Sequence, residues 1–183
     1  MMAGFQCLRY LWLYFMIRKW VNVPMLNLNL QKKFKFKIFN ITIICHAQTE
    51  DKDDTFKNSF YDTLDRIYQT SPKHDAVIVI GDMNAKVGEE YLTRCTGKNR
   101  FYKISNYNVE KIWDFATCRE FVTVSAMLQL KNIHLQSWIS PDWETSVQIE
   151  HIIISRRYAS DISDIRSLRS ADYDSNHFMI IQT

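Results

Sequence analysis

A carboxylate and an amide two residues apart, Asp82 and Asn84, stand where an apolar stretch ends. The segment from Asp75 to Gly88 reads Asp-Ala-Val-Ile-Val-Ile-Gly-Asp-Met-Asn-Ala-Lys-Val-Gly. On an extended backbone, residues two apart point to the same side. Asp82 and Asn84 then reach one point in space while Met83 turns back towards the core. Such a pair at the mouth of a rigid strand suits a water, a phosphate oxygen or a hard metal ion. The same residues also make an ordinary polar turn, since Gly, Asp and Asn all favour turns. Both readings stand at this level.

The elements that must position this pair can be read from periodicity. Ala76 to Ile80 is a continuous β-branched run, the pattern of a strand buried on both faces. Before it, Asp53 and Asp54 open a helix whose apolar face is Phe56, Phe60, Leu64 and Ile67; it runs to about Gln69 and is stopped by Ser71-Pro72. Early carboxylates suit the helix dipole. Further upstream, Leu26, Leu28 and Leu30 alternate with polar residues, as do Phe34, Phe36 and Ile38 with lysines, and Ile41 to Cys45 is apolar. These read as strands, the first two forming a hairpin that turns near Gln31 to Lys33, with the lysine row on a solvated face or edge. After Gly88, a polar stretch with Gly97, Lys98 and Arg100 reads as a loop. A second helix over Glu110 to Glu120 follows, then strands at 121–126, within Gln148 to Ile154, within Asp161 to Arg169, and at Phe178 to Ile181.

With 183 residues, 46% hydrophobic and 23% charged, the chain has the composition of one globular domain. A net charge of +3 permits a nucleic-acid partner without demanding one. The four cysteines, Cys7, Cys45, Cys95 and Cys118, form no Cys-x-x-Cys pair, which argues against a zinc site or a disulfide framework and for reduced thiols in an intracellular protein. Residues 1–24 differ in character from the rest. The apolar run Leu11 to Ile17 is far short of the roughly 20 residues that a membrane span needs. No stable membrane insertion is expected; a short docking helix is the reading adopted, with a weak surface anchor as the alternative.

Gly-Asp-Met-Asn-Ala-Lys-Val-Gly resembles the core motif of the endonuclease/exonuclease/phosphatase superfamily, in the version found in non-LTR retrotransposon endonuclease domains and craniofacial development protein 2-like proteins. Other segments resemble the family in the same order along the chain: His46-Ala47-Gln48-Thr49 (Tyr-Ala-Pro-Thr in the family), Trp138-Ile139-Ser140-Pro141-Asp142, Gln148-Ile149-Glu150-His151 (Gln-Ile-Asp-His) and Ser175-Asn176-His177 (Ser-Asp-His). The resemblance covers roughly residues 25–183. It implies an α/β sandwich of mixed β-sheets with outer helices, N-terminally truncated, preceded by a divergent extension over residues 1–24.

The resemblance also implies a magnesium- or manganese-dependent phosphodiesterase acting on DNA. Asp82 would orient or activate water, Asn84 contact phosphate, and His177 stabilise developing charge while Glu150 orients it. Asn176 stands where the family has a metal-binding aspartate, and Glu150 where it has an aspartate one methylene shorter. His46 replaces a phosphate-contacting tyrosine. The family's early metal-binding glutamate has no counterpart in residues 1–24, which contain no Asp or Glu. Asp174, two residues before Asn176, could offer a substitute carboxylate. Two outcomes are therefore expected: an endonuclease-like enzyme with impaired turnover, or an inactive retroelement-derived fragment that binds nucleic acid or protein or has no function. A sugar-phosphate phosphatase of the same superfamily is a third, weaker reading. Trp138 is read as core packing rather than as a base-stacking platform.

Overall fold

A computed structural model describes residues 26–32, 39–88, 104–127, 131–168 and 175–182. The central sheet has five strands in the order β1-β2-β3-β7-β4: β1 Leu26–Lys32, β2 Phe39–His46, β3 Ala76–Asp82, β7 Glu150–Ser155 and β4 Phe121–Thr123. β2 and β3 are parallel, joined by the crossover helix α1, Asp54–Thr70; the other pairings are antiparallel. Asp53 caps α1, its Oδ1 accepting from the Thr55 backbone N–H at 2.7 Å.

Side chains alternate across the strands and divide the core in two. Ile43 and Cys45 of β2, Val77 and Val79 of β3, Ile153 of β7 and Phe121 of β4 meet Phe60 and Leu64 of α1. The second helix α2, Tyr107–Cys118, adds Val109, Ile112 and Phe115 to the same cluster. On the other face, Ile80, Val122, Ile152 and Ile154 pack with Ile162 and with Ile165 of β8, Ile165–Leu168. β8 pairs with β9, Met179–Gln182, and a short hairpin of β5, Trp138–Ile139, and β6, Ser146–Val147, lies before β7. The result is the expected α/β sandwich of mixed sheets, with helices on one face of the central sheet and smaller strand pairs on the other. No described helix is long and apolar enough to cross a membrane.

Several local expectations shift. α2 begins at Tyr107 rather than Glu110, because the Glu50 carboxylate supplies acceptors to the backbone N–H groups of Tyr107 and Asn108 at 3.1 and 3.4 Å. The strand expected over 121–126 ends at Thr123 and gives way to a helical turn, Val124–Met127. The segment expected as a strand over 161–169 starts in a 3₁₀ turn, Arg156–Asp161, and is extended only over Ile165–Leu168. β1 and β2 pair Lys32 with Phe39, so the hairpin is connected through residues 33–38 rather than turning near Gln31 to Lys33. Residues 1–24, the alternating 33–38 segment, Gly97, Lys98, Arg100, Asp172 and Asp174 lie outside the described residues.

Candidate active site

The site begins with a glycine. Gly81 has φ +155°, and a Cβ placed on it would lie 1.8 Å from the Cys45 carbonyl oxygen. No side chain fits between β2 and β3 at this point. Gly81 thereby allows the parallel ladder to continue for one more residue, and Asp82 comes into register with His46 on one side and Glu150 on the other. Asp82 and Glu150 share the parity of Ile80 and Ile152, so their side chains leave the sheet on the face opposite the helices. His177 reaches them from the segment before β9. It is held there by a bridge to Trp138, by Ile139 N–H donating to the Asn176 carbonyl at 2.8 Å, and by Phe178 N–H donating to the Ser137 carbonyl at 2.8 Å.

Asp82, Glu150 and His177 form one cluster in which a ligand atom from each lies within 4.8 Å of the others. His177 Nδ1 donates to Glu150 Oε1. Glu150 Oε2 is buried and has no hydrogen-bond partner. Asp82 is 2% exposed. Burial, then the neighbouring charge of Glu150, push its carboxyl up to about 7, against the Asn84 N–H and His177, which favour the anion. Burial works against charge on His177, but its hydrogen bond to Glu150 and the charges of Glu150 and Asp82 outweigh that and raise it above the ordinary imidazole value. His46 completes the row from β2: its Nδ1 lies 3.7 Å from Asp82 Oδ2, and its side chain is 46% exposed. Burial, with the positive charge of His177, lowers its pKa despite Glu150. The row therefore has two buried carboxyl groups flanked by one imidazole that holds its proton more tightly than usual and a second that holds it less tightly.

Asn84 behaves differently from the two-residue alternation. Its φ is +47°, so the chain has left the extended conformation, a geometry that Asn tolerates better than most residues. Its N–H donates to Asp82 Oδ1 at 2.8 Å, and its side-chain Nδ2 donates to the Ala47 carbonyl at 2.9 Å. The turn reading is realised: Asp82 caps the turn that follows it. Met83 is fully buried on the helix side, as expected. Asn176 Nδ2 donates to the Ile139 carbonyl at 2.9 Å, which ties that side chain to β5. Trp138 is partly buried with its ring 6.5 Å from that of His177.

Supporting residues escaped the sequence reading. Ser137 is completely buried; its Oγ accepts from the N–H groups of Ile149 and Glu150 at 3.0 and 3.2 Å and fixes the start of β7. His151 hydrogen-bonds the Ala85 carbonyl through Nε2 at 2.7 Å and Ser125 Oγ through Nδ1 at 3.0 Å. Asn106 and Asn108 donate to the Asn84 carbonyl at 2.7 and 3.1 Å, and Asn108 also to the Gln48 carbonyl. A histidine inside the apolar run of β7 was the one available signal. An isolated serine or asparagine carries none.

The donor set fits a divalent cation in one respect, two adjacent buried carboxylates with an oxygen that no protein donor occupies. The imidazole next to them is a softer ligand, less suited to magnesium or manganese than an oxygen would be.

No protein-family profile matches the chain. Craniofacial development protein 2 of Tragulus javanicus is 30% identical over 150 residues, which are 81% of this chain and 26% of that protein. The chain spans about a quarter of the length of the curated relatives it matches. Among solved structures, a 3′-5′ exonuclease, NExo, from Neisseria meningitidis superposes with a TM-score of 0.57 at 13% identity, over 88% of this chain and 71% of that one. The endonuclease domain of TRAS1, a telomere-specific non-LTR retrotransposon, gives a TM-score of 0.57 at 13% identity, over 86% of this chain and 62% of that one. At such identities the structures speak to fold alone. The chain is similar in sequence to part of craniofacial development protein 2 and shares its fold with solved proteins of the endonuclease/exonuclease/phosphatase family.

Proposed function

We propose that the chain is an endonuclease-like phosphodiesterase domain, of retrotransposon ancestry and acting on DNA inside the cell, whose turnover is impaired. The observation that carries this reading is the row Asp82–Glu150–His177, in which a buried acid, its partner carboxylate and an imidazole hydrogen-bonded to that partner meet at one sheet end. Phosphodiester hydrolysis needs a positioned water and a group that neutralises the oxygens as charge develops. Asp82, with its carboxyl near neutrality, is suited to exchange a proton with water. His177, whose charged form Glu150 favours, is suited to face an anionic phosphate. Asn84, with its amide nitrogen committed to Ala47, retains its side-chain oxygen for orienting substrate or water.

Asp82 and Glu150, with the amide oxygen of Asn176, are the groups that would hold magnesium or manganese. Bound there, such an ion would neutralise phosphate charge and acidify water. Impairment is read from Asn176, which brings no charge and spends its amide nitrogen on Ile139, and from Glu150, one methylene longer than the aspartate of the family motif. A shift of about 1 Å can cost about 10²-fold in rate. DNA as partner is supported by the neighbours: one is a 3′ phosphatase solved with a product DNA hairpin. The Asn176 contact also favours a second reading, a retroelement-derived fragment that binds without cleaving.

Nicking of supercoiled plasmid in magnesium or manganese tests the proposal, with the protein as written, Asp82→Ala and Asn176→Asp compared. Weak nicking lost in Asp82→Ala and enhanced in Asn176→Asp is expected. Absence of cleavage from all three folded proteins would overturn the proposal and leave an inert remnant or a binder.

A further inference from the structure

At the far end of β3 from the row, about 20 Å away for a strand of this length, a cavity of about 590 Å³ opens between the C-terminal ends of α1 and α2 and the 3₁₀ turn at Arg156–Asp161. Tyr68 and Val77 contribute apolar wall. Arg119 lines it but is committed to Asp65 through two hydrogen bonds of 2.5 and 2.7 Å. Three other cations are not so committed: Lys73, Arg156 and Arg157 form no ion pair among the described residues. Arg157 is pre-positioned, its guanidinium 4.7 Å from the Tyr158 ring centroid and hydrogen-bonded to the carbonyls of Lys73 and Asp75. Those bonds fix its direction without neutralising it.

The cavity also holds an acceptor in need of a donor. Asp75 is 3% exposed, and its Oδ1 is buried without a hydrogen bond; the exposed His74 imidazole is 3.4 Å away. A plain anion would satisfy the cations and leave Asp75 unserved, and an acidic peptide would set carboxylates against it. A ligand carrying an anion at one end and an amino donor at the other serves both, and the volume is that of a small-molecule site.

We propose that this cavity binds a nucleotide, its phosphate against Lys73, Arg156 and Arg157 and an exocyclic amine donating to Asp75. The nucleotide is either free or the phosphorylated end of a strand. The proposal is independent of catalysis at the row.

Titration calorimetry with AMP, inorganic phosphate and a 5′-phosphorylated oligodeoxynucleotide tests it, together with backbone amide shift mapping of the AMP complex. AMP should bind with shifts centred on Tyr68, Asp75 and Val77, and Arg156→Glu should weaken it by about tenfold, the scale of one lost charged contact. Asp75→Asn, which removes the acceptor charge while keeping its size, should weaken AMP and leave phosphate unchanged; its fold is checked by the amide spectrum. A tighter oligonucleotide that is equally sensitive to Arg156→Glu identifies a strand end, and a weaker one a free nucleotide. No AMP binding, phosphate binding as tightly as AMP, or shifts centred on Asp82 and His177 would each overturn the proposal.

Discussion

Glu150 and His151 are neighbours on β7 and leave the sheet in opposite directions. His151, on the helix face, has both ring nitrogens engaged, with the Ala85 carbonyl and Ser125 Oγ. Glu150, on the other face, shares one oxygen with His177 and leaves the second buried without a donor. Directly opposite it across the ladder is a second buried carboxylate, Asp82. A buried polar group stabilises a fold only when its hydrogen-bonding capacity is met, and an unmet one costs stability. The helix face therefore holds the strand end together, while the other face stores electrostatic conflict. That asymmetry separates a polar cluster whose hydrogen bonds are met from one whose bonds are not. The ion pair between Arg119 and Asp65 sharpens the point: there each charge is answered, and the hydrogen bond from Arg119 lowers the carboxyl of Asp65 instead of raising it.

The comparison can be broken by substitution. The largest effect is expected from His151→Ala, which opens a cavity and strands the Ala85 carbonyl. A loss of about 3 kcal/mol in urea unfolding at neutral pH is expected, and a loss below about 1 kcal/mol would deny His151 its structural role. Asp82→Asn should act in the opposite sense. Because the folded-state carboxyl is raised to about 7, its stabilising contribution is fully present below the unfolded carboxylate range and is lost as pH rises through the folded value. At pH 8 the variant should be more stable than the parent by about 2 kcal/mol, with a flatter profile between about pH 4 and 7. Unchanged stability at pH 8 would mean that neither burial nor Glu150 disfavours the charged Asp82 carboxylate. His177, raised as well, adds a further decline above its ordinary value; Glu150→Gln should lower its titration midpoint in NMR and remove that decline.

Smaller effects should follow. Ser137→Ala removes the hydroxyl that accepts two β7 amides and should cost about 1–2 kcal/mol. Its signature is loss of amide protection at Ile149 and Glu150 in hydrogen exchange. Asp65→Asn should cost least, about 0.5 kcal/mol, since the pair is partly exposed and water screens it. If Asp65→Asn proved as costly as His151→Ala, the contrast between the two faces would lose its meaning.

The sequence showed β3 and its carboxylate because a β-branched run ending in Gly-Asp is local information. Glu150 and His177 were reached only through the family resemblance of ordered segments, not through any periodicity of their own. The sequence did not show Ser137, Asn106 or Asn108, whose roles depend on backbone groups distant in the chain that only tertiary structure brings near. Asn84 is instructive because the alternation rule assumes an extended backbone, and the chain turns at that residue. Likewise, the start of α2 moved to Tyr107 because a glutamate 57 residues earlier supplies the cap. His46 was visible only as an odd residue in a familiar place, and cross-strand register is what sets it beside Asp82.

Gly81 gives the row a property of its own. His46, Asp82 and Glu150 sit on three separate strands, and their side chains meet only if both ladders are aligned to the residue. A slip of one position would send Asp82 to the helix side, and any side chain at Gly81 would wedge β2 from β3 before Asp82 is reached. The site thus works as a tumbler lock whose pins drop only in the native alignment. In a refolding chain, the elevated titration of His177 should emerge together with the final closure of β3 against its neighbours, making one imidazole proton a clock for assembly of the whole sheet.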